Sequence, residues 1–331
     1  MAATTSSRIL VKRLIPGLLL GFFVFLGLAI LGDLRHVSES ILAFDWRIYP
    51  LALLFTLFNY TLRFLKWHYY LKLIGASNIS WKLSLRMFVA GFPLAVTPGK
   101  VGEVLKGVWL NRLSGIPVGK GISVVVAERI SDGMAVLLLS LVGVIAYPKY
   151  WPAFLLVFVL LVGMIVLSQI RPAAMFILDQ LEKIKLLKKI IVGTREFYEG
   201  SYSLFKPVPT LIAVSLGTIS WLGEGIGFYL ILTGLGLQPG LYLASMAVFI
   251  LAFSTIVGAV TALPGGLGAA EVSIAGMLTV LMVASPSEAS AATLLIRLAT
   301  LWFGVILGLI AWAFSADLLG MKAEQAHDVE N

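Results

Sequence analysis

Uninterrupted apolar runs recur along this chain from Leu14 to Ala316. Several reach the roughly 20 residues that an α-helix needs to cross the hydrocarbon core of a bilayer. Membrane β-strands would require segments of about ten residues with alternating polarity. The runs here are continuous, which selects a helix bundle over a barrel. Composition agrees: 13% of the residues are charged and the mean hydropathy is +0.97, whereas soluble domains carry about 25% charged residues. The expected fold is therefore an all-α, polytopic integral membrane protein. A single membrane domain covers 1–320, and 321–331 form a cytoplasmic tail.

The formal net charge of +8 flanks apolar spans and does not collect into a separate basic domain, so it points to membrane orientation and not to nucleic acid. The chain has no cysteine, and its three histidines, His36, His68 and His327, are far apart in sequence. That inventory provides for no metal site and no cofactor. The first run, Leu14 to Leu31, is long for a signal-peptide core and lacks a small-residue cleavage motif, which makes it a retained anchor helix.

Full spans are expected at about 14–32, 48–66, 121–147, 152–169, 209–232 and 288–315. Two further apolar stretches, 83–112 and 241–284, are interrupted near their middles. The first contains Thr97-Pro98-Gly99-Lys100-Val101-Gly102-Glu103 and the second Leu263-Pro264-Gly265-Gly266-Leu267-Gly268 followed by Glu271. A proline followed by glycines stops a helix and permits a tight reversal, so both stretches are expected to be re-entrant hairpins. With both termini cytoplasmic, this topology places most basic residues inside, Lys66, Lys72, Arg171 and Lys183 among them, and only Arg35, Arg47 and Lys149 outside. Arg63 is expected either to reach the cytoplasmic interface or to act within the membrane. Aromatic residues at span ends, including Trp46, Tyr49, Trp67, Tyr69, Tyr70, Trp81 and Trp151, read as interfacial anchors. Between the halves, over 173–206, Ile177, Leu181, Ile184, Leu187 and Ile191 recur at helical spacing with lysines at other positions. This is the pattern of an amphipathic helix on the cytoplasmic surface.

The two breaks belong to a longer correspondence. Arg129 follows Glu103 by 26 positions, and Arg297 follows Glu271 by 26. Each half, about 48–147 and 209–315, runs as a span, a Pro-Gly hairpin with Glu, and a span with Arg. In the topology above the halves are inverted repeats, an arrangement that in transporters surrounds a site near the midplane.

Charges at bilayer depth cost at least about 2.5–3.5 kcal/mol each on insertion scales, so they mark function or pairing. Arg63, Lys100, Glu103, Glu128, Arg129, Asp132, Glu224, Glu271 and Arg297 are the candidates. Helix ends opening after the breaks would offer free N–H groups to an anion such as phosphate. Lys100, Arg129 and Arg297 would add charge, while Glu103, Glu128, Asp132 and Glu271 complete the proposed substrate site. Pro98, Gly99, Gly102, Pro264, Gly265, Gly266 and Gly268 would form the turns. Glu103 is also expected to pair with Arg129, and Glu271 with Arg297.

These segments, together with Gly91-Phe92-Pro93 and Glu128-Arg129-Ile130-Ser131-Asp132, resemble the transmembrane region family of lysylphosphatidylglycerol synthases. That is the flippase-like domain of the multiple peptide resistance factor and its stand-alone relatives. The resemblance covers about 10–315 and implies a flippase that moves a lipid between the leaflets of the cytoplasmic (inner) membrane. It does not carry lysyl transfer, which belongs to a separate soluble domain. The expected function is translocation of an anionic phospholipid or a polyprenyl-phosphate-linked lipid, without enzymatic activity. A separate soluble lipid-modifying enzyme and homo-oligomerisation are compatible partner roles. The rival classes are an ion-coupled small-solute transporter and a lipid-modifying enzyme using Glu103, Glu128 or Asp132 as general base.

Overall fold

A computed structural model describes residues 5–97, 102–146, 151–184, 188–282 and 284–315. Among them every regular element is helical. α1 (Thr5–Leu31) is the expected anchor helix, and α2 (Leu34–Ala43) follows at once. α2 lies between the expected spans. It is signalled by Asp33, whose carboxylate accepts from the Arg35 N–H at the helix start, and by Val37 and Ile41 one turn apart on its inner face. α3 (Tyr49–Leu73) extends well beyond the expected end at residue 66.

The first interrupted stretch comprises α4 (Trp81–Ala90), a 3₁₀ turn over Phe92–Val96 and α5 (Leu105–Ser114). Each helix has ten residues, about 15 Å at 1.5 Å per residue, half of a crossing. α6 (Val118–Ala146) and α7 (Trp151–Gln169) are the next two expected spans. The connector is two helices, α8 (Arg171–Glu182) and α9 (Lys188–Leu204), where the sequence suggested one. α10 (Pro207–Gly234) opens the second half. The second interrupted stretch is α11 (Leu241–Val260), a turn over Pro264–Gly266 and α12 (Ala269–Met282). α11 alone has 20 residues and is predominantly apolar, the length of a full crossing, so this arm is longer than the half-helix of a re-entrant loop. The last expected span is divided into α13 (Pro286–Arg297), a π-helical segment over Leu298–Trp302 and α14 (Phe303–Ala313). Such π segments are rare and concentrate at functional sites.

The chain divides into two compact units. The first comprises residues up to Asn59, Arg86–Gly102 and from Leu222 onward. Its core gathers Phe44, Phe228, Ile231, Phe249, Ile250 and Leu295. The Phe92–Val96 turn packs here against α1, α14 and the Pro264–Gly266 turn. Glycine permits that approach: a Cβ on Gly17 would overlap the Val96 carbonyl oxygen, and one on Gly308 would overlap the Pro93 ring. The indole N–H of Trp312 donates to the Ala90 carbonyl at 2.7 Å, satisfying the end of α4.

The second unit comprises Tyr60–Leu85 and Glu103–Trp221. α6 runs through it, with α5, α7 and α9 packed on it. α9 therefore does not lie free on a surface. A Cβ on Gly200 would overlap the Ser123 hydroxyl, and Gly119 faces Gly193 and Glu196 in the same interface. The connector's cations are partly neutralised, Arg195 by Asp179 at 2.7 Å and Glu182 at 2.9 Å, and Arg171 by Glu199 at 2.9 Å. Trp46, Trp81 and Trp151 are exposed, as interfacial anchors must be, but Trp67 and Tyr70 are buried core residues.

A Cβ on Gly121 would lie 2.6 Å from the Gly107 Cα, where α5 meets α6. Gly121→Val forces the two backbones apart, at a cost of about 1–3 kcal/mol. A lower thermal unfolding midpoint in detergent is expected for it. Gly163→Ala on α7, which meets nothing within 4 Å, should leave the midpoint unchanged.

Candidate functional site

In the first unit the second Pro-Gly break is held by one ion pair. Gly265, Gly266 and Gly268 all have positive φ, which only glycine adopts without strain and which turns the chain between α11 and α12. Glu271, in the first turn of α12, is fully buried. One carboxylate oxygen takes the Gly268 N–H at 2.7 Å, and the other takes Arg297 Nε at 2.5 Å. Arg297 Nη2 then donates to the Gly265 carbonyl at 2.9 Å. A single carboxylate and a single guanidinium thus join the break, α12 and the end of α13. Arg297 immediately precedes the π segment.

Pro98, Gly99 and Lys100 lie outside the described residues. On either side of them, the Gly102 N–H donates to Thr97 Oγ1 at 2.9 Å, and the Thr97 hydroxyl donates to the Leu94 carbonyl at 2.6 Å. Val96, just before this first break, packs against Gly265 in the second, 3.3 Å from where a glycine Cβ would stand. The edge of one break therefore touches the other.

In the second unit Arg129 Nε donates to Glu103 Oε2 at 3.0 Å, and Nη2 lies 3.0 Å from the same oxygen. Both expected pairs form, and at the shared offset of 26 residues each places the arginine Nε on the carboxylate. The carboxylates are sealed and the arginines less so. The Glu103 and Glu271 side chains are 3% and 0% exposed, against 32% and 13% for Arg129 and Arg297.

Around Arg129 the charges continue. Lys66 Nζ lies 2.5 Å from Asp132 Oδ1 and 3.1 Å from Ser131 Oγ, and Arg63 Nη2 lies 3.4 Å from Asp132 Oδ2. Lys106 Nζ is 3.3 Å from Glu128 Oε2 and 4.9 Å from the Trp67 ring centroid. Glu128 and Asp132 are one turn apart on α6, while Arg63 and Lys66 share a face of α3. Among the described residues, Arg63, Lys66, Lys106 and Arg129 thus meet Glu103, Glu128 and Asp132 here.

Sequence reasoning placed Lys66 in an inside loop and did not single out Lys106. Both are buried, Lys66 completely. Arg63 does not snorkel outward; it turns to Asp132 and the Trp221 ring, 5.9 Å from its Cζ. The available signal was the spacing of Arg63, Lys66 and Tyr70 on one face of α3, with Lys106 one turn after Glu103. Glu224, on α10, is buried as anticipated.

Residues 18–308 match the family described as the lysylphosphatidylglycerol synthase TM region. The chain belongs to that family. A relative, a UPF0104 membrane protein from Methanothermobacter thermautotrophicus, is 27% identical over 317 residues, covering 88% of this chain and 90% of the relative. No solved structure matches. Membership in this transmembrane-region family spans both breaks, both Glu–Arg pairs and the cluster around Asp132.

Breaking one partner of a buried ion pair leaves a stranded charge, which costs about 3–5 kcal/mol. Asp132→Asn is therefore expected to lower the unfolding midpoint sharply, since Lys66 loses its carboxylate. Asp132→Asn combined with Lys66→Met should recover most of that loss. A thermal melt of the three proteins in one detergent checks both expectations.

Proposed function

We propose that this protein moves an anionic or phosphate-bearing lipid between leaflets, with Arg129 and Arg297 each offering a separate contact to the head group while the acyl chains stay in the bilayer. The observation that carries the reading is the repeated pair. At each Pro-Gly break a sealed carboxylate grips the Nε edge of an arginine whose side chain is the more exposed partner. A guanidinium held in this way is charged, oriented and suited to bidentate contact with phosphate. The inverted-repeat reading belongs to the same proposal, resting on the shared offset and on the equivalent Glu–Arg bonds. Membership in a transmembrane-region family named for a phospholipid synthase supports a lipid as the substrate.

The test is leaflet exchange in liposomes containing the purified protein. Labelled phosphatidylglycerol or a polyprenyl-phosphate lipid should exchange faster than in empty vesicles. Arg129→Gln and Arg297→Gln should each reduce that rate by about tenfold or more, the value of a charged hydrogen bond. Arg→Lys at either position should restore it only in part, since an ammonium ion lacks the planar fork. If no candidate lipid exchanges faster than in empty vesicles, the reading is wrong.

A further inference from the structure

α7 ends at Gln169 and the chain bends by 74° into α8. α10 begins at Pro207 beside this bend, and between α7 and α10 lies an apolar cleft of about 470 Å³. Ile165 and Val166 line it from α7, Leu211 and Val214 from α10, and Phe205 lies at the junction. Val166 and Leu211 are 53% and 68% exposed, so the cleft opens toward the hydrocarbon and not into the protein. Thr210, which also lines it, has a buried hydroxyl with no hydrogen-bond partner among the described residues.

The junction end of the cleft is basic. Gln169 Nε2 donates to the Tyr202 carbonyl at 3.2 Å, which brings the last turn of α9 to the end of α7. Arg171 and Lys206 both gather on the Tyr202 ring, 5.4 Å and 5.7 Å from its centroid. Glu199 neutralises Arg171. Lys206 is exposed and has no carboxylate partner among the described residues. A net positive charge therefore stands where an apolar slot reaches the helix ends.

We infer that this cleft binds one anionic glycerophospholipid from the surrounding bilayer, with an acyl chain between α7 and α10 and the phosphate at Lys206 and Arg171. The slot provides for hydrocarbon, the two cations provide for a phosphate, and the unneutralised lysine distinguishes an anionic from a zwitterionic head group. A soluble anion would have the cations but nothing to fill the slot. This site shares no residue with the Glu–Arg pairs, and it would hold its lipid even in a protein that exchanges none.

Native mass spectrometry of the full chain, extracted in detergent with equal phosphatidylglycerol and phosphatidylcholine, reads the site directly. One phosphatidylglycerol should be retained in preference to phosphatidylcholine. Lys206→Gln should weaken that preference by about fivefold, the value of one basic residue near an anionic surface. Leu211→Trp, at an exposed position, should fill the slot and remove the retained lipid without lowering the unfolding midpoint. Equal retention of the two lipids, or retention unmoved by both substitutions, would overturn the proposal. So would a retained lipid lost on Arg129→Gln or Arg297→Gln but not on Lys206→Gln, because it would place the lipid elsewhere.

Discussion

Charge inside a bilayer has to be balanced, and the arrangement of this protein follows from how that is done. The apolar runs commit the chain to an environment where water cannot satisfy a carboxylate or an ammonium ion. Glu103, Glu128, Asp132 and Glu271 are nevertheless buried, and each has a cation within 3.4 Å. These pairs join segments that are distant in sequence. Arg129 connects the start of α5 to α6, Asp132 connects α6 to α3, and Arg297 connects α13 to the break before α12.

The breaks require the same balance for the backbone. Interrupting a helix inside a membrane frees N–H and C=O groups that lipid cannot satisfy, and such breaks persist only where protein groups replace the lost bonds. At the second break Glu271 takes one N–H and Arg297 takes one carbonyl. At the first, Thr97 takes the Gly102 N–H. At the second break the ion pair and the irregular backbone are thus one device. The carboxylate that orients the arginine also closes the turn, which gives both kinds of residue a place at the same site.

Small residues set the distances at which this works. Gly107 and Gly121 bring α5 onto α6 closely enough for Lys106 to reach Glu128. Gly17 and Gly308 admit the Phe92–Val96 turn between α1 and α14. Without a hydrophobic force between helices in lipid, close backbone packing of this kind is a main source of association. The cleft between α7 and α10 is the converse case: bulky side chains and a bend leave a space that no group among the described residues fills.

Much of this was legible in the residues. Long apolar runs settle the helical membrane class because backbone satisfaction in hydrocarbon leaves few alternatives. Pro-Gly sequences mark the breaks because proline lacks the N–H a helix needs and glycine takes positive φ without strain. The equal offset of Glu103 from Arg129 and Glu271 from Arg297 exposed both pairs because each runs from near the start of the helix after a break into the helix that follows it. Lys66 was misread for an equally physical reason. A lysine near the end of an apolar run is ordinarily an interfacial residue, and only a carboxylate 66 positions away, brought alongside by α3 and α6, makes a fully buried one tolerable. The full length of α3, the burial of Trp67 and Tyr70, the division of the connector into α8 and α9, and the cleft beside Lys206 were likewise decided by packing. Composition and local spacing determined what each segment is; which charge faces which was settled only in three dimensions, because electrostatic partners are chosen by distance in space and not along the chain.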